Sequence, residues 1–122
     1  MAIRVLLLDD DPAFRRELEA ELRRLGHEAA SFANWFEALN YLEQASSLDS
    51  MVTELALGGG PNGVSLAHMA LSRRPDLSIA FVTREHALAE RVDPHLGPVF
   101  LKDDGPARIA QAILGAGFYP NV

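Results

Sequence analysis

Apolar positions along the chain alternate between two textures. Short, nearly unbroken runs at Ile3-Arg4-Val5-Leu6-Leu7-Leu8, Met51-Val52-Thr53, Ser78 to Val82 and Val99-Phe100-Leu101 have the length of strands covered on both faces. Between them, apolar residues recur at helical spacing. Phe14, Leu18, Leu22 and Leu25 mark one face of a helix that Asp11 caps and Pro12 opens, with Arg23 and Arg24 near its negative end and Gly26 stopping it. Glu19 precedes Arg23 by one helical turn, the favourable orientation for an ion pair. Glu28 to Phe32 reads as a weaker second strand at or near a sheet edge. Asn34 and Glu37 form a cap-and-box start for a helix through Gln44, with Trp35, Leu39 and Leu42 inward. Val64 to Arg74 is the next helix, with Val64, Ala67, Ala70 and Leu71 inward, and Pro75 ends it.

The pattern loosens after Thr83. Ala87 to Val92 supports a short turn of helix, which Pro94, Gly97 and Pro98 keep from extending. Gly105-Pro106 opens a last helix with Ile109, Ala112 and Ile113 inward. Gly115 and Gly117 end it, and Phe118-Tyr119 clamps it in place. Strand–helix alternation of this kind implies right-handed crossovers and a doubly wound parallel sheet.

At 122 residues the expectation is one domain spanning 1–122. A net charge of −6 argues against a broad nucleic-acid surface. The absence of cysteine excludes disulfides and thiolate metal sites and fits a cytoplasmic location. No apolar run approaches the roughly 20 residues of a membrane span. His27, His68, His86 and His95 have no ligand-like spacing, and the glycine run at 58–60 lacks the Gly-Lys-Ser/Thr of a nucleotide loop.

Sheets of this class keep their sites at the C-terminal ends of the strands. That rim collects Asp9, Asp10 and Asp11 after the first strand, Glu54 at the end of the third, Thr83 after the fourth and Lys102 after the fifth. The motifs LLLDDDP at 6–12, the strand-three acid with a loop ending in Asn62-Gly63, VT at 82–83 and FLK at 100–102 resemble, in order and spacing, the receiver domain of two-component response regulators. The resemblance covers essentially the whole chain. It implies a flavodoxin-like sheet in the order 2-1-3-4-5 with five helices, the fourth short or irregular.

It also implies roles. Asp9, Asp10 and Glu54 correspond to the acids that hold a divalent cation, Mg²⁺ being the cofactor implied. Glu54 stands where the family has its phosphoacceptor aspartate, and Thr83 and Lys102 stand where phosphoryl oxygens are contacted. Hard oxygen ligands suit Mg²⁺, and a lysine offsets charge in phosphoryl transfer.

The departures cluster on that machinery. The additional methylene of Glu54 carries its carboxylate outward by about 1.5 Å, which in-line attack tolerates poorly, so little or no phosphorylation is expected and retention of Mg²⁺ is left open. Arg84 follows Thr83 in place of a small residue and is expected to close over the pocket, pairing with Glu54 or Asp10 and standing in for part of the metal charge. Asp103 replaces a proline that follows a cis bond, so a trans peptide is expected there and the lysine's aim is in question. Val99 replaces the switch aromatic, with Phe100 displaced by one.

The favoured reading is thus an atypical, non-enzymatic receiver, a pseudo-receiver that binds a signalling partner (a histidine kinase, a phosphotransfer protein or a downstream effector) largely without phosphorylation. The alternatives are a working phosphoacceptor receiver and, against the missing Asp-x-Asp arrangement, a small Mg²⁺-dependent phosphohydrolase. Pairing as a homodimer, for which receivers often use the fourth-helix, fifth-strand, fifth-helix face, is left open, as is membership of a longer protein.

Overall fold

The computed structural model describes residues 2–115. Five strands, β1 (Arg4–Leu8), β2 (Glu28–Phe32), β3 (Ser50–Glu54), β4 (Ser78–Thr83) and β5 (Val99–Leu101), alternate with α1 (Pro12–Arg24), α2 (Trp35–Gln44), α3 (Gly63–Arg73), α4 (His86–Ala89) and α5 (Pro106–Gly115). All strand pairs are parallel, in the order β2-β1-β3-β4-β5. This is the order and class that the sequence implies.

The unbroken apolar runs have a simple cause. Alternate residues of a strand point to opposite faces, and both faces are covered. Val5, Leu7, Val52, Ala80 and Val82 pack with Phe14, Leu18 and Leu22 of α1 and Ile109, Ala110 and Ile113 of α5. Leu6, Leu8, Met51, Ile79 and Phe81 pack on the other side with Ala38, Leu39 and Leu42 of α2 and Leu66, Ala67 and Ala70 of α3. β2 and β5 are the edge strands, and in β2 only Ala29 is buried.

Capping follows the sequence closely. Asp11 Oδ1 accepts the N–H groups of Ala13 and Phe14 to start α1, and Asn34 Oδ1 accepts those of Phe36 and Glu37 to start α2. The Glu19–Arg23 pair forms at 2.7 Å.

Several expectations need adjusting. Ala110 rather than Ala112 completes the buried stripe of α5 with Ile109 and Ile113, because the stripe steps by one and three residues there. Leu66 joins Ala67 and Ala70 in the buried stripe of α3, and Val64 and Leu71 pack against it half-buried. Trp35 packs inward against the core but stays half-buried, since it lies at the first turn of α2 and reaches to Gly60 in the β3–α3 loop. β3 begins one residue earlier than Met51, at Ser50, and ends at Glu54, the strand end where the sequence puts it. The helical turn after β4 is shorter than Ala87 to Val92 and shifted earlier, to His86–Ala89. Gly117 and the Phe118-Tyr119 clamp lie outside the described residues.

Candidate functional site: a buried lysine between two carboxylates

Strand register puts the rim residues side by side. Leu8 is aligned with Thr53, so the next residues, Asp9 and Glu54, lie abreast at the ends of β1 and β3. Glu54 is aligned with Val82, and Thr83 with Leu101, which carries the array to Lys102.

The helix that follows fixes Glu54 from behind. Asn62 caps α3 by accepting the N–H of Ser65. Gly63 sits so close that a Cβ there would lie 2.3 Å from the Glu54 carbonyl oxygen. No side chain fits in that gap, so the Asn-Gly pair is a docking point for α3 as well as the end of a loop.

Lys102 is almost wholly withdrawn from water. Its side chain is 2% exposed, against 0% for Asp9 and 8% for Glu54, and its Nζ lies 2.7 Å from Asp9 Oδ2 and 2.7 Å from Glu54 Oε1. The contact with Asp9 Oδ2 is ionic, off the line of a directed hydrogen bond. The ammonium also stands 4.7 Å from the centroid of the Phe14 ring, whose π face adds to its stabilisation.

The remaining carboxylate oxygens are engaged by backbone. Asp9 Oδ1 accepts the Asp11 N–H at 2.9 Å, and Glu54 Oε2 accepts the Ala56 N–H at 3.2 Å. Burial pushes the Asp9 carboxyl above the usual carboxylate range despite the lysine beside it. Burial draws the Lys102 ammonium down, but Asp9 and Glu54 outweigh it and leave it raised.

Other rim residues are drawn elsewhere. Asp10 is exposed, and its Oδ2 accepts the N–H of Gly58 at 3.2 Å. Thr83 is buried, with Oγ1 accepting the Glu85 N–H at 3.0 Å. The Arg84 expectation requires correction. Its guanidinium pairs with Asp11 Oδ2 at 2.8 Å, not with Glu54 or Asp10, because Lys102 already answers the buried acid and Asp11 is within reach at the surface.

With one oxygen capping α1 and the other on Arg84, the Asp11 carboxylate takes no part in the crevice, to which the residue contributes its backbone N–H. Its carboxyl lies below the usual range, through Arg84 first and the capped helix second. The trans bond expected before Asp103 is found, since the described residues contain no cis peptide. Lys102 still finds both acids, because a short 3₁₀ turn, Lys102–Asp104, begins there and sets its direction.

For a divalent cation held by Asp9, Asp10 and Glu54 this arrangement does not fit. Among the described residues, no His, Asp and Glu side chains cluster in threes that could hold a metal, and an ammonium fills the space between the two buried acids. Sequence reasoning also missed the part played by Phe14, and that of Arg15, whose Nη1 donates to the Asp9 carbonyl at 2.8 Å. The signal for the second was present in the spacing, since Arg15 lies one turn into α1, six residues after Asp9.

The model of the response regulator receiver domain matches residues 5–112. The chain belongs to that family. As a receiver domain it is a module of two-component signalling, a family that is typically not enzymatic and whose partners are signalling proteins such as histidine kinases.

Solved receivers share its fold. The response regulator TrrA of Thermotoga maritima, crystallised in complex with Mg(2+)-BeF, is 20% identical with a TM-score of 0.79, over 92% of this chain and 96% of that one. A receiver protein from Sinorhizobium medicae is 23% identical with a TM-score of 0.80, over 93% of this chain and 92% of its own. A CheY-like receiver domain from Methanospirillum hungatei has the same values, 23% and 0.80, with the same coverage of 93% and 92%. No curated protein matches the chain. Among the described residues no helix is long and apolar enough to cross a membrane.

Proposed function

We propose that this receiver acts as a protein-interaction module whose output is largely independent of phosphorylation, with Lys102 closing the crevice that in other receivers accepts a phosphoryl group. One observation carries the reading. A single ammonium bridges Asp9 and Glu54 at 2.7 Å each in a site nearly without solvent.

In that state Glu54 is a fixed buried charge whose carboxylate already uses the lysine and the Ala56 N–H. An incoming phosphoryl donor would have to displace those contacts and then meet a nucleophile set about 1.5 Å farther out than an aspartate. As a mimic of a modified acceptor, one carboxylate has less charge and fewer acceptor oxygens than a phosphoryl group. A constant internal ion pair therefore describes Glu54 better than a switched state. Thr83, with its hydroxyl oxygen turned to Glu85, is in this reading a strand end and not a phosphate contact. The partner is a signalling protein that recognises the folded surface.

Acetyl phosphate with Mg²⁺, followed by mass spectrometry, tests this on the native protein and on Glu54→Asp. The native protein should remain unmodified under conditions in which the shorter side chain gains a labile adduct. Equal labelling of the two would refute the reading and support a working glutamyl acceptor.

A further inference from the structure

The crevice leaves one of its expected members unexplained. Asp10 is exposed and outside the Asp9–Lys102–Glu54 cluster, and among the described residues it joins no ion pair. What it does hold is backbone. Its Oδ2 accepts the N–H of Gly58, in the segment between β3 and α3 and forty-eight positions along the chain. Two residues later the same segment is held from the other side. Gly60 lies against the indole of Trp35, so closely that a Cβ there would stand 2.5 Å from Nε1 and 2.7 Å from Cδ1. Trp35 is in turn braced edge-on by Phe36, with ring centroids 5.8 Å apart and planes at 82°.

The segment's sequence, Leu57-Gly58-Gly59-Gly60-Pro61, has little of its own to hold it in place. Gly59 adopts a φ of +65°, which glycine reaches without strain. A run of three glycines has the largest conformational entropy to lose on ordering. Contacts at both ends of the run therefore decide whether it is ordered.

We propose that Asp10 is a positioning residue, a pin that fixes the β3–α3 loop against the crevice rim while Trp35 backs it at Gly60. Were Oδ2 itself turned to a cation, the Gly58 N–H would lose its acceptor, so cation binding through that oxygen and loop order are negatively coupled. The inference is independent of whether Glu54 accepts a phosphoryl group, because it concerns a different side chain and a different backbone segment.

Asparagine and alanine at position 10 separate the pin from a ligand. Asp10→Asn keeps an oxygen that can accept from Gly58, whereas Asp10→Ala removes it. Amide hydrogen exchange at Gly58 and Trp35 emission are read on both variants and on the native chain, each with and without Mg²⁺ alone as the probe. The expected result is near-native exchange in Asp10→Asn and exchange faster by about tenfold in Asp10→Ala, the value of a hydrogen bond to a charged or polar acceptor. A red-shifted Trp35 emission should accompany the second.

In Gly60→Ala the indole should be displaced while the Gly58 amide keeps its native protection, since Asp10 is untouched. Unchanged Gly58 exchange in Asp10→Ala would overturn the proposal. So would exchange at Gly58 as fast in Asp10→Asn as in Asp10→Ala, because the accepting oxygen would then not be what holds the loop.

Discussion

The two ends of the rim are built on opposite principles. At the β1–β3 end, Asp9, Glu54 and Lys102 form one buried charge cluster, with α3 pressed against the Glu54 backbone through Gly63. At the β4–β5 end, α4 is one turn long, β5 is three residues and half-buried, and the side-chain contacts between histidine and aspartate lie in water. His86–Asp103 at 3.3 Å has both side chains 63% exposed, and His95–Asp93 at 3.2 Å is more exposed still. A buried pair cannot lose one member cheaply, because the other is left as an uncompensated charge. An exposed pair can, because water replaces the partner. The crevice should therefore behave as a structural unit and the outer rim as a set of separable contacts.

Lys102→Met is the harshest way to test that contrast. It strands two buried carboxylates, and a loss of about 3–5 kcal/mol in urea-unfolding stability is expected. Adding Glu54→Gln to that variant should restore part of the loss, since fewer charges then lack a partner. A loss no greater than that for an exposed pair would erase the distinction between the two ends.

The same lysine predicts a pH dependence. Its folded value is raised above the ordinary 10.5 of the unfolded chain, with burial opposing and the two acids prevailing. Its contribution is thus present in full below 10.5 and is lost as pH rises through the folded value. Thermal melts on the alkaline side should show this for the native chain, and the Lys102→Met variant should lack it.

Gly63→Ala comes next in size. Its Cβ would meet the Glu54 carbonyl oxygen, which is backbone and cannot swing aside. A cost of about 1–3 kcal/mol is expected from overpacking, with chemical-shift changes centred on Glu54 and Leu55. Asn62→Ala removes the cap of the same helix and should cost about 1 kcal/mol in the same assay. Arg84→Ala is expected to do least. The Arg84–Asp11 pair is largely exposed, so the melting midpoint should hardly move and Lys102 should keep its environment. A crevice that opens on loss of Arg84 would make the outer rim part of the lock.

The same contrast decides what could be read from the sequence. Strands buried on both faces leave an unmistakable apolar run, and parallel pairing then aligns their C-terminal ends. Asp9, Glu54 and Lys102 were therefore legible as neighbours before any coordinates. Caps were legible for the same local reason, as at Asp11 and Asn34.

Side-chain direction was not. Asp9 and Asp10 are adjacent, yet one is buried on Lys102 and the other is exposed on Gly58, a choice made by a loop nearly fifty residues away. Arg84, expected on Glu54 or Asp10, pairs with Asp11 instead, because the choice among neighbouring acids depends on distances that spacing does not encode. The extent of α4 was blurred because none of its residues is fully buried.

The central claim is that the Lys102 ammonium is locked between Asp9 and Glu54, and it has a direct spectroscopic test. Nitrogen-detected NMR of lysine side chains, followed as pH is raised, isolates this one amine from the solvent-exposed groups. The account predicts a Lys102 ammonium resonance shielded from solvent exchange, with a titration midpoint above the ordinary 10.5. A rapidly exchanging signal that titrates at or below that value would mean an open crevice and would contradict it.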